Sequence, residues 1–207
     1  MLKNIFNLSI QLASLQRYSL TKLVNPESVL EHQGAVALMG VVLGLRLNGA
    51  GENFNIGNIA YLSTIHDIDE IGTGDIPRPT KYSSDEVLEA LENLAEKSVE
   101  ELDVKLGIAL VDIWKMSKEG HDGAVVSLCD GLSVLCKVWQ ETAMFGNKVI
   151  VNHAGPVRKM LDKKFNNMIG FCETAEGINM IALLRNQSFD LCDEVESHRY
   201  NEGENGN

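Results

Sequence analysis

The sequence HDIDEIGTGDIPRPTKY, residues 66–82, decides how the whole chain is interpreted. The His-Asp pair that opens it ends the stretch Asn55–Asp67, in which apolar residues recur with helical spacing. Glu70 follows about one helical turn further along. Gly72–Tyr82 contains two prolines and is predicted to be a loop. An imidazole and two carboxylates therefore lie together where a predicted helix ends.

Helical spacing of apolar residues continues on both sides of this segment. Helices are predicted over residues 26–47, 86–102 and 122–145, with further helices between residues 149 and 194. Ser28 and Glu31 have the spacing of a capping box near the start of the first of these helices. The sequence has no alternating strand pattern and no internal repeat. The predicted fold class is therefore all-α.

The charge distribution narrows the classes of ligand. The 207-residue chain has a formal net charge of −11. Most of the negative charge lies in residues 83–103 and 190–207, so the remainder of the chain is close to neutral. A chain of this kind lacks the broad basic face of a protein that binds a nucleic-acid polymer. Its nearly neutral part can instead accommodate a small anionic ligand.

Length and composition predict one cytoplasmic domain. Residues 1–195 are expected to form a single domain, and residues 196–207 a disordered acidic tail. The longest apolar run, Gly34–Leu45, is shorter than the roughly 18–20 residues of a membrane span, and no secretory signal is visible. The four cysteines lie in apolar stretches without a C-x-x-C pair and are predicted to be buried thiols: Cys129, Cys136, Cys172 and Cys192.

Two histidines and two carboxylates on separate predicted helices form a candidate metal site. They are His32, His66, Asp67 and Asp130. Mixed nitrogen and oxygen ligands suit Mn²⁺, Co²⁺, Fe²⁺ or Zn²⁺. Asp130 lies in an apolar run, where an unpaired buried carboxylate is costly. Taken one at a time, these residues also fit structural roles, such as a hydrogen-bonded core histidine or a hydrogen-bond acceptor between helices.

The order of these four residues resembles the H…HD…D pattern of the HD-domain metal-dependent phosphohydrolases. The segment 66–82 is similar to the HD-x-x-E-x-x-T-G-D-x-P-x-P-x-K-Y segment of the bacterial HD-domain 5'-deoxynucleotidases. Residues 15–20 and 25–32 are similar to the opening of the same family, and the similarity covers residues 15–147. The resemblance implies an HD-domain helical bundle.

The resemblance also implies roles for individual residues. His32, His66, Asp67 and Asp130 would bind the metal. Glu70 would be the catalytic carboxylate, and Arg17 would be a catalytic residue that orients the phosphate. Tyr18 stands where the family has a tryptophan that is thought to press on the sugar and disfavour ribose.

Substrate contacts are implied for the loop that follows Glu70. Asp75, Ile76, Pro77 and Arg78 would contact the nucleotide. Arg78 replaces a residue that is often small in the family, so its charge could help to hold a longer phosphate chain. Lys81 and Lys137 are further candidates for phosphate contact, although solvated lysines are common at protein surfaces.

Three functions follow as hypotheses. The first is a 5'-deoxynucleotidase that converts a deoxynucleoside monophosphate and water to a deoxynucleoside and phosphate. The second is a deoxynucleoside triphosphohydrolase, for example one that converts dATP to deoxyadenosine and triphosphate. The third is a non-catalytic, nucleotide-binding regulatory protein. Co²⁺ or Mn²⁺ is the expected cofactor, with Zn²⁺, Fe²⁺ and Mg²⁺ as alternatives. The expected partners are a deoxynucleotide and further copies of the chain in a homo-oligomer, and no membrane.

The remaining histidines are predicted to lie outside the site. His121-Asp122 is a second His-Asp pair, but no further histidine-bearing helix remains to complete a site around it. Asp122 is instead interpreted as the N-cap of the helix that follows it. His153 and His198 are predicted to lie on the surface or in the tail.

Overall fold

A computed structural model describes residues 2–199 of the chain. The rest of the predicted tail, residues 200–207, lies outside the described residues. Within 2–199 the chain is helical without a strand, which confirms the all-α prediction. The first five helices are α1 Leu2–Ser14, α2 Val29–Gly49, α3 Ile56–Ile65, α4 Glu70–Thr73 and α5 Arg78–Lys81. The next five are α6 Asp85–Leu106, α7 Val111–Met116, α8 Gly120–Trp139, α9 Ala154–Ile169 and α10 Ala175–Ser197.

The capping box predicted at the start of α2 is confirmed. The Ser28 hydroxyl accepts a hydrogen bond from the Glu31 N–H, and the Glu31 carboxylate accepts one from the Ser28 N–H. The predicted start at Pro26 is wrong, because the capping box fixes Ser28 as the N-cap and Val29 as the first helical residue.

Glycines on α2 allow α3 to pack closely against it. A Cβ atom added to Gly40 would lie 2.8 Å from Ile59 Cγ2, and one added to Gly44 would lie 2.8 Å from Ile56 Cδ1. No side chain other than hydrogen fits at these positions without displacing α3. This close packing brings the end of α3, where the His-Asp pair lies, next to α2.

Two further predictions about local structure are wrong. The segment Gly72–Tyr82 contains the end of α4 and all of α5, because Pro79 lies in the first turn of α5, where no backbone N–H is needed. Asp122 is not the N-cap of α8, since Glu119 has that position. The Asp122 carboxylate instead accepts hydrogen bonds from Asn55 N and Asn58 Nδ2, and so it supports the start of α3.

The main core lies between α2, α3, α8, α9 and α10, and a smaller one lies around α6 and α7. Cys129 and Cys192 are buried as predicted, and Cys172 is half-buried. Cys136 is exposed, so that prediction is wrong: its position on α8 faces away from the core.

Among the described residues, α2 is the helix whose length and apolar composition would allow it to cross a membrane. One of its faces is packed into the main core through Val36, Leu43 and Leu47. Its opposite face leaves Leu38 and Val42 exposed. α2 is therefore a core helix with an uncovered apolar side.

A π-helical turn, Gln140–Met144, follows α8, and a 3-10 helix, Lys148–His153, leads into α9. The predicted helix 122–145 therefore corresponds to two elements. At the other end of the chain, α10 continues to Ser197, two residues beyond the predicted end of the domain.

Candidate active site

Three side chains converge where α2 meets the end of α3. His66 Nε2 lies 3.3 Å from His32 Nε2, and Asp67 Oδ2 lies 3.4 Å from the His32 nitrogen and 3.2 Å from the His66 nitrogen. A cation about 2.0–2.2 Å from each of three such atoms gives separations of this size. The chemistry and spacing of these ligands therefore fit a divalent cation.

Hydrogen bonds on the far side of each imidazole fix its orientation. His66 Nδ1 lies 2.7 Å from the Ser63 carbonyl oxygen, and because a carbonyl only accepts, Nδ1 must donate. This leaves Nε2 of His66 free to bind a cation. His32 Nδ1 lies 2.7 Å from the Ser133 hydroxyl. Such partners of a metal-binding histidine set its tautomer and its orientation.

Asp130, the fourth predicted ligand, lies beside the other three. Its Oδ1 is 3.3 Å from His32 Nε2, and its Oδ2 is 3.0 Å from Lys164 Nζ. The group of ligand atoms that lie within 4.8 Å of one another consists of His32, His66 and Asp67. Asp130 therefore borders this group and is shared between His32 and a lysine.

The carboxylates of this cluster are held in the charged form. Burial raises the pKa of Asp67, but His66 and His32 outweigh it, and the pKa lies well below its usual range. Burial also raises the pKa of Asp130, and Lys164 and His32 outweigh it in the same direction. Burial lowers the pKa of His32, whereas its hydrogen bonds with Asp130 and Asp67 produce a net rise. A cation that binds here replaces the proton on His32.

Glu70 has the opposite electrostatic behaviour. Burial, followed by the nearby charges of Asp67 and Asp75, raises its pKa to about 10. Its Oε2 is buried and has no hydrogen-bond partner among the described residues. Glu70 is therefore an uncharged acid at neutral pH in the metal-free protein, and its proton faces the cavity.

Arg17 and Tyr18 form a strained corner of the site. The Tyr18 backbone has φ of +62°, a left-handed conformation that is rare for a residue with a side chain. Its N–H donates to Asp75 Oδ2 at 2.7 Å, which holds the strained turn in place. The sequence resemblance implies a substrate contact for Asp75 but gives no indication of this structural role.

Glu141 anchors the loop that follows Tyr18. This fully buried carboxylate lies in the π-helical turn and accepts hydrogen bonds from Val24 N and Asn25 N, both at 2.8 Å. Lys137 donates to the Asn25 carbonyl and lies 3.5 Å from Glu141 Oε1. Lys137 therefore holds the loop and does not line the cavity, so the interpretation of Lys137 as a phosphate contact is wrong.

A cavity of about 800 Å³ opens in front of these residues. The predicted site residues that line it are Arg17, Tyr18, His66, Asp67, Glu70, Asp75, Ile76, Pro77, Arg78, Lys81 and Asp130. His32 is fully buried behind them. Its volume lies within the range that is typical of small-molecule sites.

The opposite side of the cavity comes from α9 and the turn before it. Its residues include Asn152, His153, Val157, Met160 and Lys164. His153 also contacts Tyr18 edge to face, with ring centroids 6.3 Å apart. The prediction that His153 lies on the surface or in the tail is therefore wrong. The sequence contains no motif that marks these residues, because their role depends on where α9 packs.

The second His-Asp pair is absent from the residues that line the cavity. His121 stacks on Phe54, with ring centroids 4.0 Å apart, and Asp122 supports α3 as described above. His198 follows the end of α10 and is half-buried. The interpretation that these residues do not bind the metal agrees with their positions.

Comparison with known proteins gives a family-model match and similar folds. The family model described as YfbR-like 5'-deoxynucleotidase matches residues 4–175. The 5'-deoxynucleotidase YfbR of Escherichia coli O1:K1 is 30% identical over 150 residues, which cover 68% of this chain and 74% of that protein.

Two solved structures share the fold at low sequence identity. The first is an HD-domain phosphohydrolase from Listeria innocua, with a TM-score of 0.61, 19% identity and coverage of 95% of this chain and 98% of that one. The second is the HD phosphohydrolase DatZ of cyanophage S-2L, bound to dA and one catalytic Zn²⁺ ion. Its TM-score is 0.60 at 13% identity, and the match covers 89% of this chain and 95% of that one.

Proposed function

The chain belongs to the family of YfbR-like 5'-deoxynucleotidases, and we propose how its own residues carry out that reaction. As a member, it is a phosphohydrolase that acts on 2'-deoxynucleotides and uses a metal site. Water attacks the phosphorus of the deoxynucleoside monophosphate, the bond from phosphorus to the 5' oxygen breaks, and a deoxynucleoside and phosphate leave.

The observation that carries this assignment is a set of unpartnered polar atoms around the cavity. Arg17 Nε, Tyr18 Oη and Glu70 Oε2 are buried without a hydrogen-bond partner among the described residues. Buried polar groups are nearly always paired, so three such atoms around one cavity indicate a missing polar ligand. A donor on a guanidinium, a phenol and a carboxylic acid match a phosphate ester that carries a sugar.

His32, His66, Asp67 and Asp130 would hold the cation. When bound, a divalent cation lowers the pKa of a coordinated water and neutralises phosphate oxygens. The nitrogen and oxygen ligands suit Zn²⁺, Co²⁺ or Mn²⁺. We favour this group of metals because the ligand types match, and because the HD phosphohydrolase DatZ is described with one catalytic Zn²⁺ ion.

Arg17 and Glu70 would act on the phosphate from two sides. The Arg17 guanidinium orients the phosphate, with its Nη1 fixed 3.2 Å from Glu27 Oε2 and its Nε free for the substrate. Glu70 donates the proton from Oε2 to the departing 5' oxygen. The negative charges of Asp67 and Asp75 favour the protonated form that this role requires.

Tyr18 would discriminate deoxyribose from ribose. Its strained backbone and its contact with His153 fix the ring at the edge of the cavity. A ring fixed in this way can exclude a 2'-hydroxyl by steric contact, whereas a mobile ring would move aside.

Arg78 and Lys81 support the triphosphate as a second candidate substrate. Both line the cavity, and Arg78 is exposed at its rim, 5.0 Å from the Tyr82 ring centroid. A monophosphate that reaches Arg17 does not need charges at the rim, whereas a triphosphate does.

A homo-oligomer formed through α2 would cover its apolar side. Leu38, Val42 and Leu45 are 68%, 50% and 56% exposed on that side, and Leu183 of α10 is 59% exposed beside them. Contiguous apolar patches of this kind mark interaction surfaces. Light scattering after gel filtration should give at least a dimer, and Leu38→Glu should reduce it to a monomer.

We also place the protein in the cytoplasm, without a membrane or a nucleic-acid polymer as partner. The net charge of −11 disfavours anionic polymers and anionic lipid surfaces. α2 buries the polar side chains of His32 and Gln33 within the protein, which favours a core helix over a membrane span.

Product analysis tests the assignment most directly. Metal-free protein is reloaded with Mn²⁺, Co²⁺ or Zn²⁺ and given each deoxynucleoside monophosphate and triphosphate beside the matching ribonucleotide. We expect inorganic phosphate from the deoxymonophosphates. Release of triphosphate and a free deoxynucleoside would support the second candidate. No product with any metal would favour a non-catalytic nucleotide-binding protein.

A further inference from the structure

Lys164 of α9 reaches the metal ligand Asp130 on α8. Its Nζ lies 3.0 Å from Asp130 Oδ2, 2.7 Å from the Ser127 carbonyl oxygen and 3.0 Å from the Ser127 hydroxyl. The side chain is 19% exposed. An ammonium group has three N–H donors, and three acceptors surround this one. The ammonium is therefore fixed in direction and has no free donor.

A glycine on α8 makes room for this lysine. A Cβ atom added to Gly131 would lie 2.8 Å from Lys164 Cδ and 3.0 Å from Leu161 Cδ2. The stem of Lys164 therefore passes over the part of α8 that has no side chain. This passage places the ammonium next to Asp130, the residue that precedes Gly131.

The two oxygens of Asp130 have separate partners. Oδ2 accepts from Lys164, while Oδ1 lies 3.3 Å from His32 Nε2 and faces the metal cluster. A carboxylate without Lys164 could rotate and exchange these two oxygens. With Lys164 in place, Oδ1 is the oxygen that remains directed at His32.

We propose that Lys164 is a positioning residue of the metal centre, which holds Asp130 in the orientation that binds the cation. The inference rests on the metal site proposed above and deepens it. Hydrogen-bond partners that orient a metal ligand typically contribute a factor of roughly 10 to 100 in metal affinity or activity. Lys164 comes from α9, outside the segment that resembles the family motifs.

The competing role for Lys164 is direct contact with the substrate phosphate. Lys164 lines the cavity, so its position alone permits that role. Its donors are already used by Ser127 and Asp130, however, whereas Arg17 Nε is unpartnered and faces the same cavity. The geometry favours Arg17 for the phosphate and Lys164 for the metal ligand.

The test measures cation binding to the metal-free protein, without substrate. Calorimetric titration with Mn²⁺ and with Zn²⁺ is done on wild type, Lys164→Met and Lys163→Met. Methionine keeps the length of the side chain and removes its donors. Lys163 is the exposed neighbour on α9 and is the matched control. We expect Kd to rise about 10- to 100-fold for Lys164→Met and to change less than about twofold for Lys163→Met.

Kinetics at saturating metal separate the two roles. We expect KM for a deoxymonophosphate to stay within about twofold of wild type in Lys164→Met, since the substrate phosphate is not its partner. Wild-type metal affinity in Lys164→Met would overturn the proposal, and a raised KM in the same variant would show the phosphate role instead.

Two further measurements keep the result decisive. Ser127→Ala removes one of the acceptors of Lys164 with little change in size, and it should weaken metal binding in the same direction but less. If Lys164→Met does not fold, as judged by its melting temperature, the proposal depends on Ser127→Ala, and unchanged metal affinity there would overturn it. If wild type and Lys163→Met bind no cation, the proposed metal site itself fails, which is a different outcome.

Discussion

The two sides of the cavity are built on different principles. The side that comes from α2, α3 and α4 presents nitrogen and oxygen atoms of His32, His66 and Asp67 at separations of 3.2–3.4 Å. The side that comes from α9 presents mainly shape, through Val157 and Met160. Chemistry restricts which residue types can serve on the first side, whereas many residues can form the second. We call these the motif side and the α9 side.

The largest expected effect is on the motif side. Glu70→Gln keeps the shape and the hydrogen-bonding groups but cannot donate the carboxylic proton. We expect kcat for a deoxymonophosphate to fall by roughly 10²–10⁴-fold, since that is the usual contribution of a general acid. Steady-state phosphate release at saturating metal measures this. Activity equal to that of wild type would contradict the role given to Glu70.

A smaller effect is expected at the rim of the cavity, between the two sides. Arg78→Ala removes a charge that a triphosphate could reach and a monophosphate need not. We expect kcat/KM for deoxynucleoside triphosphates to fall about 10-fold or more, which is the scale of one charge-assisted hydrogen bond. Turnover of the monophosphate by the same variant is the internal control. Equal losses on both substrates would remove the support for the triphosphate.

A still smaller effect is expected on the α9 side. His153→Ala removes the edge-to-face contact with Tyr18, worth roughly 0.5–1.5 kcal/mol. We expect discrimination between a deoxymonophosphate and its ribonucleotide to fall by roughly 3- to 10-fold, because Tyr18 is then less firmly held. The ratio of the two kcat/KM values measures it. If kcat for the deoxymonophosphate falls as far as in Glu70→Gln, the contrast between the two sides does not hold.

The smallest expected effect is a gain in stability. The native pKa of Glu70, about 10, exceeds the ordinary value of 4.5, so the folded metal-free protein holds a proton that the unfolded chain loses. Stability therefore falls as pH rises between these two values. Glu70→Gln removes that loss and should raise the free energy of unfolding at pH 7.5 by about 1 kcal/mol, or about 2–4 °C in Tm. Equal melting curves at pH 5 and a higher Tm for the variant at pH 7.5 are the expected results.

The motif side could be read from the sequence to a large extent. His66, Asp67 and Glu70 follow one another closely, so their proximity does not depend on tertiary packing. The capping box at Ser28 is equally local, and it fixed the start of α2 better than Pro26 did. The all-α class followed from helical periodicity alone.

The α9 side could not be read in this way. The position of His153 beside Tyr18 depends on packing between segments far apart in the sequence. Lys164 reaches Asp130 only because Gly131 leaves room for it. The role of Asp122 was missed for the same reason, since its partners Asn55 and Asn58 lie on another helix. These contacts join residues without any fixed spacing, so no local pattern indicates them.

The position of Lys164 on α9 has an evolutionary consequence. The same helix supplies Val157 and Met160, which shape the cavity, and Lys164, which contacts a metal ligand. A substitution that shifts α9 to admit a different base also shifts the lysine. Selectivity and metal retention are therefore epistatic in this protein, and we expect lineages that change base preference to acquire compensating changes at positions 127 and 131.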